Sequence, residues 1–254
     1  MAHKTLISGT AYSVTGGREM IGGTGYDCKA GKTIIGGTAF TIPFAKGIPL
    51  SSITPGAILY LNESGRPVPF YIAKHDYEPE LNGAGRTLIV RKDCYDKRAF
   101  SRNNNAFSGS SMDTWLNNTW LKLLDADIQA AISKTKFYYT TGNGNDTVTT
   151  LQRAVFLLSV TELGKSSSHA NTEGTALDSA VCSQLAIAYY DGNATVTWTR
   201  TPNTGDTIYV FCMRTDGGLQ SNKIGGFKGS RPAFTIPATT AVTANPDGTY
   251  TLAA

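Results

Sequence analysis

The sequence predicts an α+β chain: a domain of short strands with two or three helices, preceded by a small β-repeat segment. Three observations carry this. A 14-residue motif recurs three times within the first 43 residues. Met112, Trp115, Leu116, Thr119, Trp120 and Leu123 fall at helical spacing. Ile208, Tyr209, Val210, Phe211, Cys212 and Met213 form an apolar run flanked by Asp and Gly, the pattern of a short strand buried on both faces. With 27 Gly in 254 residues, many turns between short elements are expected.

The repeat aligns Ile7-Ser8-Gly9-Thr10-Ala11-Tyr12 with Ile21-Gly22-Gly23-Thr24-Gly25-Tyr26 and Ile35-Gly36-Gly37-Thr38-Ala39-Phe40. Each copy alternates a four-residue β-type piece with a Gly-containing turn, too little to bury a face by itself. Such units must stack on their copies, on another chain, or as a meander on their own globular domain. Pro43, Pro49 and Pro55 then punctuate the chain. Residues 1–43 are read as an attachment or oligomerisation segment, 44–56 as a linker, 57–237 as the globular domain and 238–254 as a tail.

In the globular domain, strands are expected at Ile58 to Leu61, Phe70 to Ala73 and Leu88 to Arg91, with a Glu63-Ser64-Gly65 turn after the first. Ser110 or Ser111 offers an N-cap and Asp113 favours the start of the helix that follows. Its two Trp residues sit on the apolar face, as core residues do. A second helix is expected from Ala126 to Ile132, a turn-rich loop at Gly142 to Asp146, a buried strand at Val155 to Val160 and a small helix around Ala176 to Leu185. In the tail, Asn245-Pro246-Asp247-Gly248 is a turn signal and Tyr250 to Leu252 a final strand.

Charged residues make up 17% and the formal charge is +4, without a long basic run, so nucleic-acid binding is not expected. No apolar stretch long enough to span a bilayer occurs, and no secretory leader opens the sequence; membrane insertion is not expected. Cys28, Cys94, Cys182 and Cys212 lack CxxC spacing and read as reduced, small apolar residues. His3, His75 and His169 form no metal-ligand spacing, and Walker, Rossmann and GxSxG patterns are missing. Asn143, Asn145 and Asp146, or Asp125 and Asp127, supply hard oxygens without a full calcium-loop pattern. No catalytic residue, metal or cofactor is assigned.

The stretch from Trp198 to Phe234 sets out W-x-R, a strand, a Gly-rich loop and Gly229-Ser230-Arg231-Pro232-Ala233-Phe234. That order resembles the C-terminal half of an uncharacterised domain of phage particle proteins and gut-bacterial surface proteins. It is also similar to the end of the C-type-lectin-like fold in its formylglycine-generating-enzyme variant. The resemblance covers roughly Ile58 to Pro237 and implies structural roles for Trp198, Arg200, Arg231 and Pro232. An Arg among apolar strands needs carbonyls or a carboxylate for its donors, which agrees. The enzymes of that fold use a close pair of cysteines, whereas Cys212 here stands alone; oxidase activity is not implied. The Gly-Thr-Tyr repeats resemble attachment segments of phage tail proteins.

Together these imply a virion protein, assembled in a bacterial cytoplasm with other virion subunits as a homotrimer, that displays a lectin-like domain to a host-surface glycan or protein. Recognition is expected from Asn203, Asp206, Arg214, Asp216, Gln220, Asn222 and Lys223, polar groups on loops held by short strands. The alternative is a purely structural decoration or baseplate component.

Overall fold

The structure, a computed structural model, describes residues 47–253 and, ahead of them, six strands only. The chain divides into two compact units, Met1–Lys46 and Gly47–Ala254.

In the first unit the repeat is written as three antiparallel pairs: Lys4–Ile7 with Thr10–Ser13, Arg18–Ile21 with Thr24–Asp27, and Lys32–Ile35 with Thr38–Thr41. The registers Ile7↔Thr10, Ile21↔Thr24 and Ile35↔Thr38 are equivalent, so the 14-residue sequence period is also the period of the backbone pairing. The Ser-Gly and Gly-Gly dipeptides between paired strands, His3, Cys28 and Pro43 lie outside the described residues.

The second unit is built on an eight-stranded sheet. Its order is Val155–Phe156, Ala233–Pro237, Arg86–Arg91, Arg66–Lys74, Ile58–Glu63, Tyr250–Leu252, Ala241–Ala244 and Ile48–Pro49. All neighbours are antiparallel except Ile58–Glu63 and Tyr250–Leu252. A five-stranded sheet follows the order Lys97–Arg98, Lys228–Gly229, Thr197–Pro202, Tyr209–Met213 and Leu219–Lys223. Two hairpins complete it, Thr135–Gly142 with Asn145–Arg153 and Ala188–Tyr190 with Asn193–Thr195.

The lectin-like α+β expectation is therefore overturned. Among the described residues strand accounts for 39% and helix for 15%, in several sheets with four α-helices, so the protein is β-rich. The reason is local. The helices Pro79–Asn82, Ser111–Asn118, Ala126–Ala131 and Ser179–Leu185 are four to eight residues long. Segments read as loop, linker and tail supply strands instead. Ile48–Pro49 pairs with Ala241–Ala244, and Leu50 and Ile53 are buried, so much of 44–56 belongs to the fold rather than to a linker. The tail contributes two strands of the large sheet.

Between these elements lies one apolar core. Ser110 caps Ser111–Asn118 by accepting a hydrogen bond from the Asp113 amide at 3.0 Å, and Met112 and Leu116 turn inward. Trp120, in the 3-10 turn Trp120–Leu123, packs against Phe70 and Phe234 with ring centroids 6.4 and 6.1 Å away. Its indole donates to Glu63 at 3.0 Å, and the same carboxylate accepts two bonds from Arg91 at 2.9 and 3.0 Å. Val155 to Val160 is buried as expected, but only Val155–Phe156 is strand; Leu157 to Ser159 run irregularly against Arg200 and its partners.

Candidate functional site

The seven residues expected to bind a ligand do not converge. Asn203 and Asp206 lie beyond one end of the strand Tyr209–Met213, and Arg214 and Asp216 beyond the other. The strand's five residues set its two ends about 13 Å apart at the usual strand rise. Gln220, Asn222 and Lys223 lie along the edge strand Leu219–Lys223, opposite Cys212, Val210 and Tyr209. Most of the loop groups are occupied at home. The Asn203 Oδ1 accepts from the Gly205 amide at 2.9 Å, the Asp206 carboxylate from the Ile208 amide at 2.8 Å, and the Asp216 carboxylate from the Gly218 amide at 2.9 Å. Arg214 and Asp216 pair at 2.8 Å, half exposed. These are turn-forming contacts.

The four residues given structural roles lie in the interior. Trp198 donates its indole N–H to the Arg98 carbonyl at 2.8 Å. Arg200 is 0% exposed and grips Glu162 through both ends of its guanidinium, at 2.6 and 3.0 Å. It also donates to the carbonyls of Leu157 at 2.8 Å and Tyr138 at 3.0 Å. Glu162 accepts further bonds from the Tyr77 hydroxyl at 2.5 Å and the Ser159 amide at 2.8 Å. Glu173 stands 3.7 Å from the guanidinium and accepts from the Thr140 amide and the Thr201 hydroxyl, each at 2.7 Å. Burial lowers the Arg200 pKa, but Glu162, Tyr77 and Glu173 more than reverse it, and the cation is held. Burial pushes the Glu173 carboxyl up, against Arg200 and its hydrogen bonds. Glu78, in a left-handed conformation with φ 45, is likewise raised by burial, and its Oε2 is buried without a partner.

Arg231, 6% exposed, donates to the carbonyls of Arg91 at 2.9 Å and Leu185 at 2.6 Å. Its second terminal nitrogen has no partner, and burial draws its pKa down to about 10. Pro232 is buried beside it. The buried Cys94 thiol is pushed up to about 11 by desolvation, and Cys212 is raised for the same reason, so neither has thiolate character. His75 sits between the Thr87 hydroxyl at 2.9 Å and the Ile53 carbonyl at 2.7 Å, a structural position.

Among the described residues, two open clefts offer places for a ligand. The first, about 370 Å³, lies between residues 101–110 and the tip of the hairpin Thr135–Gly142/Asn145–Arg153. Asn103, Asn104, Asn143 and Asn145 face it with Ser and Gly backbone, and no charged group lines it. The buried Asn105 builds this corner: its Oδ1 accepts from the Asn143 amide at 2.7 Å while its Nδ2 donates to the carbonyls of Asn203, Asp206 and Tyr209. Asn143-Gly144 is a two-residue turn with φ 54 and 80, the form that suits Asn-Gly.

The second cleft, about 550 Å³, opens between Val68-Pro69, residues 91–95 and the hairpin Ala188–Tyr190/Asn193–Thr195. Tyr95, Tyr189, Tyr190, Asp93 and Asp191 line it. Asp191-Gly192, with φ 50 and 74, is the matching Asp-Gly turn. Tyr189 is 45% exposed, although its backbone is tied down: its amide donates to Asp93 Oδ1 at 3.1 Å and its carbonyl accepts from the Cys94 amide at 2.9 Å. Sequence reasoning passed over both clefts. The available signal was the pair of turn dipeptides, Asn143-Gly144 and Asp191-Gly192, each flanked by strand-forming residues.

The profile of a family described as a domain of unknown function, DUF6273, matches residues 84–238, more than half of the chain. The chain belongs to the DUF6273 family. Comparison with curated proteins and with solved structures returns no match. The DUF6273 segment contains the whole five-stranded sheet, both buried arginines and the asparagine-lined cleft. Of the tyrosine-lined cleft, only Val68 and Pro69 fall outside it.

Proposed function

We propose that this protein is a component of a phage particle whose second unit recognises a host-surface glycan or protein, and whose three-hairpin unit serves attachment or self-association. The observation that supports recognition best is the tyrosine-lined cleft, in which an exposed aromatic ring stands on a backbone held at both its amide and its carbonyl. Rigid presentation of an aromatic anchor is what low-cost recognition needs. Arg200 ties the five-stranded sheet to Glu162 and Leu157, and Arg231 ties its segment to Arg91 of the eight-stranded sheet, so recognition falls to the connections that this frame holds up. The equivalent registers of the three hairpins support the second part, because four-residue pairs of this kind need neighbours to be stable.

The structural alternative has its own support in Phe227, 72% exposed next to a Gly-Gly pair, and in Ile208, 40% exposed. Exposed apolar side chains of that size, aromatic ones above all, are common at contacts between subunits. The deciding experiment measures retention of the full chain on bacterial cells, on their isolated surface polysaccharide and on purified particle subunits. Saturable retention on cells or polysaccharide is expected. Retention on particle subunits alone would establish the structural alternative. Light scattering is expected to show a trimer, and a monomer would remove the self-association role.

A further inference from the structure

We infer that the tyrosine-lined cleft is a saccharide site for an uncharged sugar. The inference rests on the recognition reading above and names its ligand class and residues. The volume, about 550 Å³, falls in the usual range for a small-molecule site. Its lining joins Tyr95, Tyr189 and Tyr190 to the carboxylates of Asp93 and Asp191, with Arg91 as the one cation among them. A pyranose ring presents an apolar C–H face and a rim of hydroxyl donors, and these lining groups complement both. Asp93 spends Oδ1 on the Tyr189 amide, which leaves Oδ2 as an acceptor.

Charge narrows the class further. Arg91 lies 5.7 Å from the Tyr95 ring centre and the Lys97 ammonium 5.2 Å from that of Tyr190, so an incoming cation would meet rings already neighboured by cations. An anion would meet Asp93 and Asp191, while Arg91 is committed to Glu63 through two hydrogen bonds. A neutral polyhydroxylated ligand avoids both conflicts. The cleft is also pre-formed, because the paired contacts of Tyr189 with Asp93 and Cys94 hold the hairpin against residues 91–95.

The experiment titrates the full chain with uncharged oligosaccharides of glucose, galactose and N-acetylhexosamine, using calorimetry and saturation-transfer NMR. Sialylated oligosaccharides and a lysine-rich peptide provide the charged comparison. At least one uncharged sugar is expected to bind, with saturation transferred from tyrosine protons. Tyr189→Ala and Asp191→Asn are each expected to weaken that binding tenfold or more with thermal unfolding unchanged, and Asn103→Ala, in the other cleft, to leave it intact. Asp191→Asn keeps a residue that tolerates the left-handed turn, so it tests the site even where Tyr189→Ala perturbs folding. Sugar binding lost in Asn103→Ala and kept in both cleft variants would overturn the site while sparing glycan recognition. A preference for either charged ligand would overturn the ligand class. Retention on cells through a surface protein, with no sugar bound, would overturn the inference and spare the recognition role; no retention on any cell component would remove both.

Discussion

Arg200 and Arg231 are both buried cations in β-rich surroundings, yet they are held in different ways. Arg200 has a carboxylate across two hydrogen bonds, a second carboxylate 3.7 Å away and three carbonyls. Arg231 has two carbonyls and, among the described residues, no carboxylate in hydrogen-bond reach and no partner for one nitrogen. Burial accordingly pulls the Arg231 pKa down to about 10, while the Arg200 value is raised by its partners. The contrast shows that burial alone does not say what a cation contributes. The partner set does, and a charge is destabilising or stabilising according to who shares its enclosure.

The sharpest way to break the comparison is at Arg200. Arg200→Met strands Glu162 and Tyr77 in the interior, and a loss of about 3–5 kcal/mol in denaturant unfolding is expected. Adding Glu162→Leu to that variant should recover part of the loss, because the second change removes the stranded charge. Equal or greater destabilisation by the pair would show that the ionic cluster carries the fold. Arg231→Met leaves only two carbonyls unpaired and relieves a poorly compensated cation, so a smaller loss, about 1–3 kcal/mol, is expected by the same measurement. A cost above that of Arg200→Met would invert the ranking.

Packing around Arg231 supplies the next test. A Cβ at Gly229 would come within 2.3 Å of the Cys94 Sγ, so Gly229→Ala should cost about 1–3 kcal/mol through overpacking. Cys94→Ala in the same chain should return most of it. The smallest effect is a slope. Because burial raises the Glu173 pKa, the folded state holds that proton more tightly than the unfolded chain does. The resulting stability is present below the ordinary carboxylate pKa and is lost as pH rises through the folded value. Glu173→Gln should therefore flatten the decline of stability as pH rises above the ordinary carboxylate pKa. An unchanged slope would place that proton elsewhere, with Glu78 the other buried carboxyl whose pKa is raised.

What was legible in the sequence was whatever a single element decides. The Ser110 cap, the inward Met112 and Leu116, the strand around Val210 and the period of the first unit follow from local pattern, and each has its counterpart in the structure. Arg200 and Arg231 could be placed inside because a guanidinium next to Trp198 or Pro232 in apolar strands has nowhere else to find acceptors. The carboxylate partners of Arg200 could not, since Glu162 and Glu173 come from a segment whose burial depends on the whole fold. The fold class failed for a similar reason: Ile48–Pro49 is a strand only because the distant Ala241–Ala244 lies beside it, and Ala241–Ala244 is one because Tyr250–Leu252 and Ile48–Pro49 flank it. Asn105, the staple of one cleft, looks like any loop asparagine until three distant carbonyls surround it.

That dependence reaches back to how the chain is made. Ile48–Pro49 hangs on Ala241–Ala244, and Ile58–Glu63 takes one of its two neighbours from Tyr250–Leu252. A nascent chain emerging from the ribosome must leave that side of the large sheet open until nearly two hundred further residues have been added. The second unit thus closes only once Tyr250–Leu252 has been made, and a protein cut at the limits of the family match would keep a permanently unzipped margin, ready to recruit strands from its neighbours.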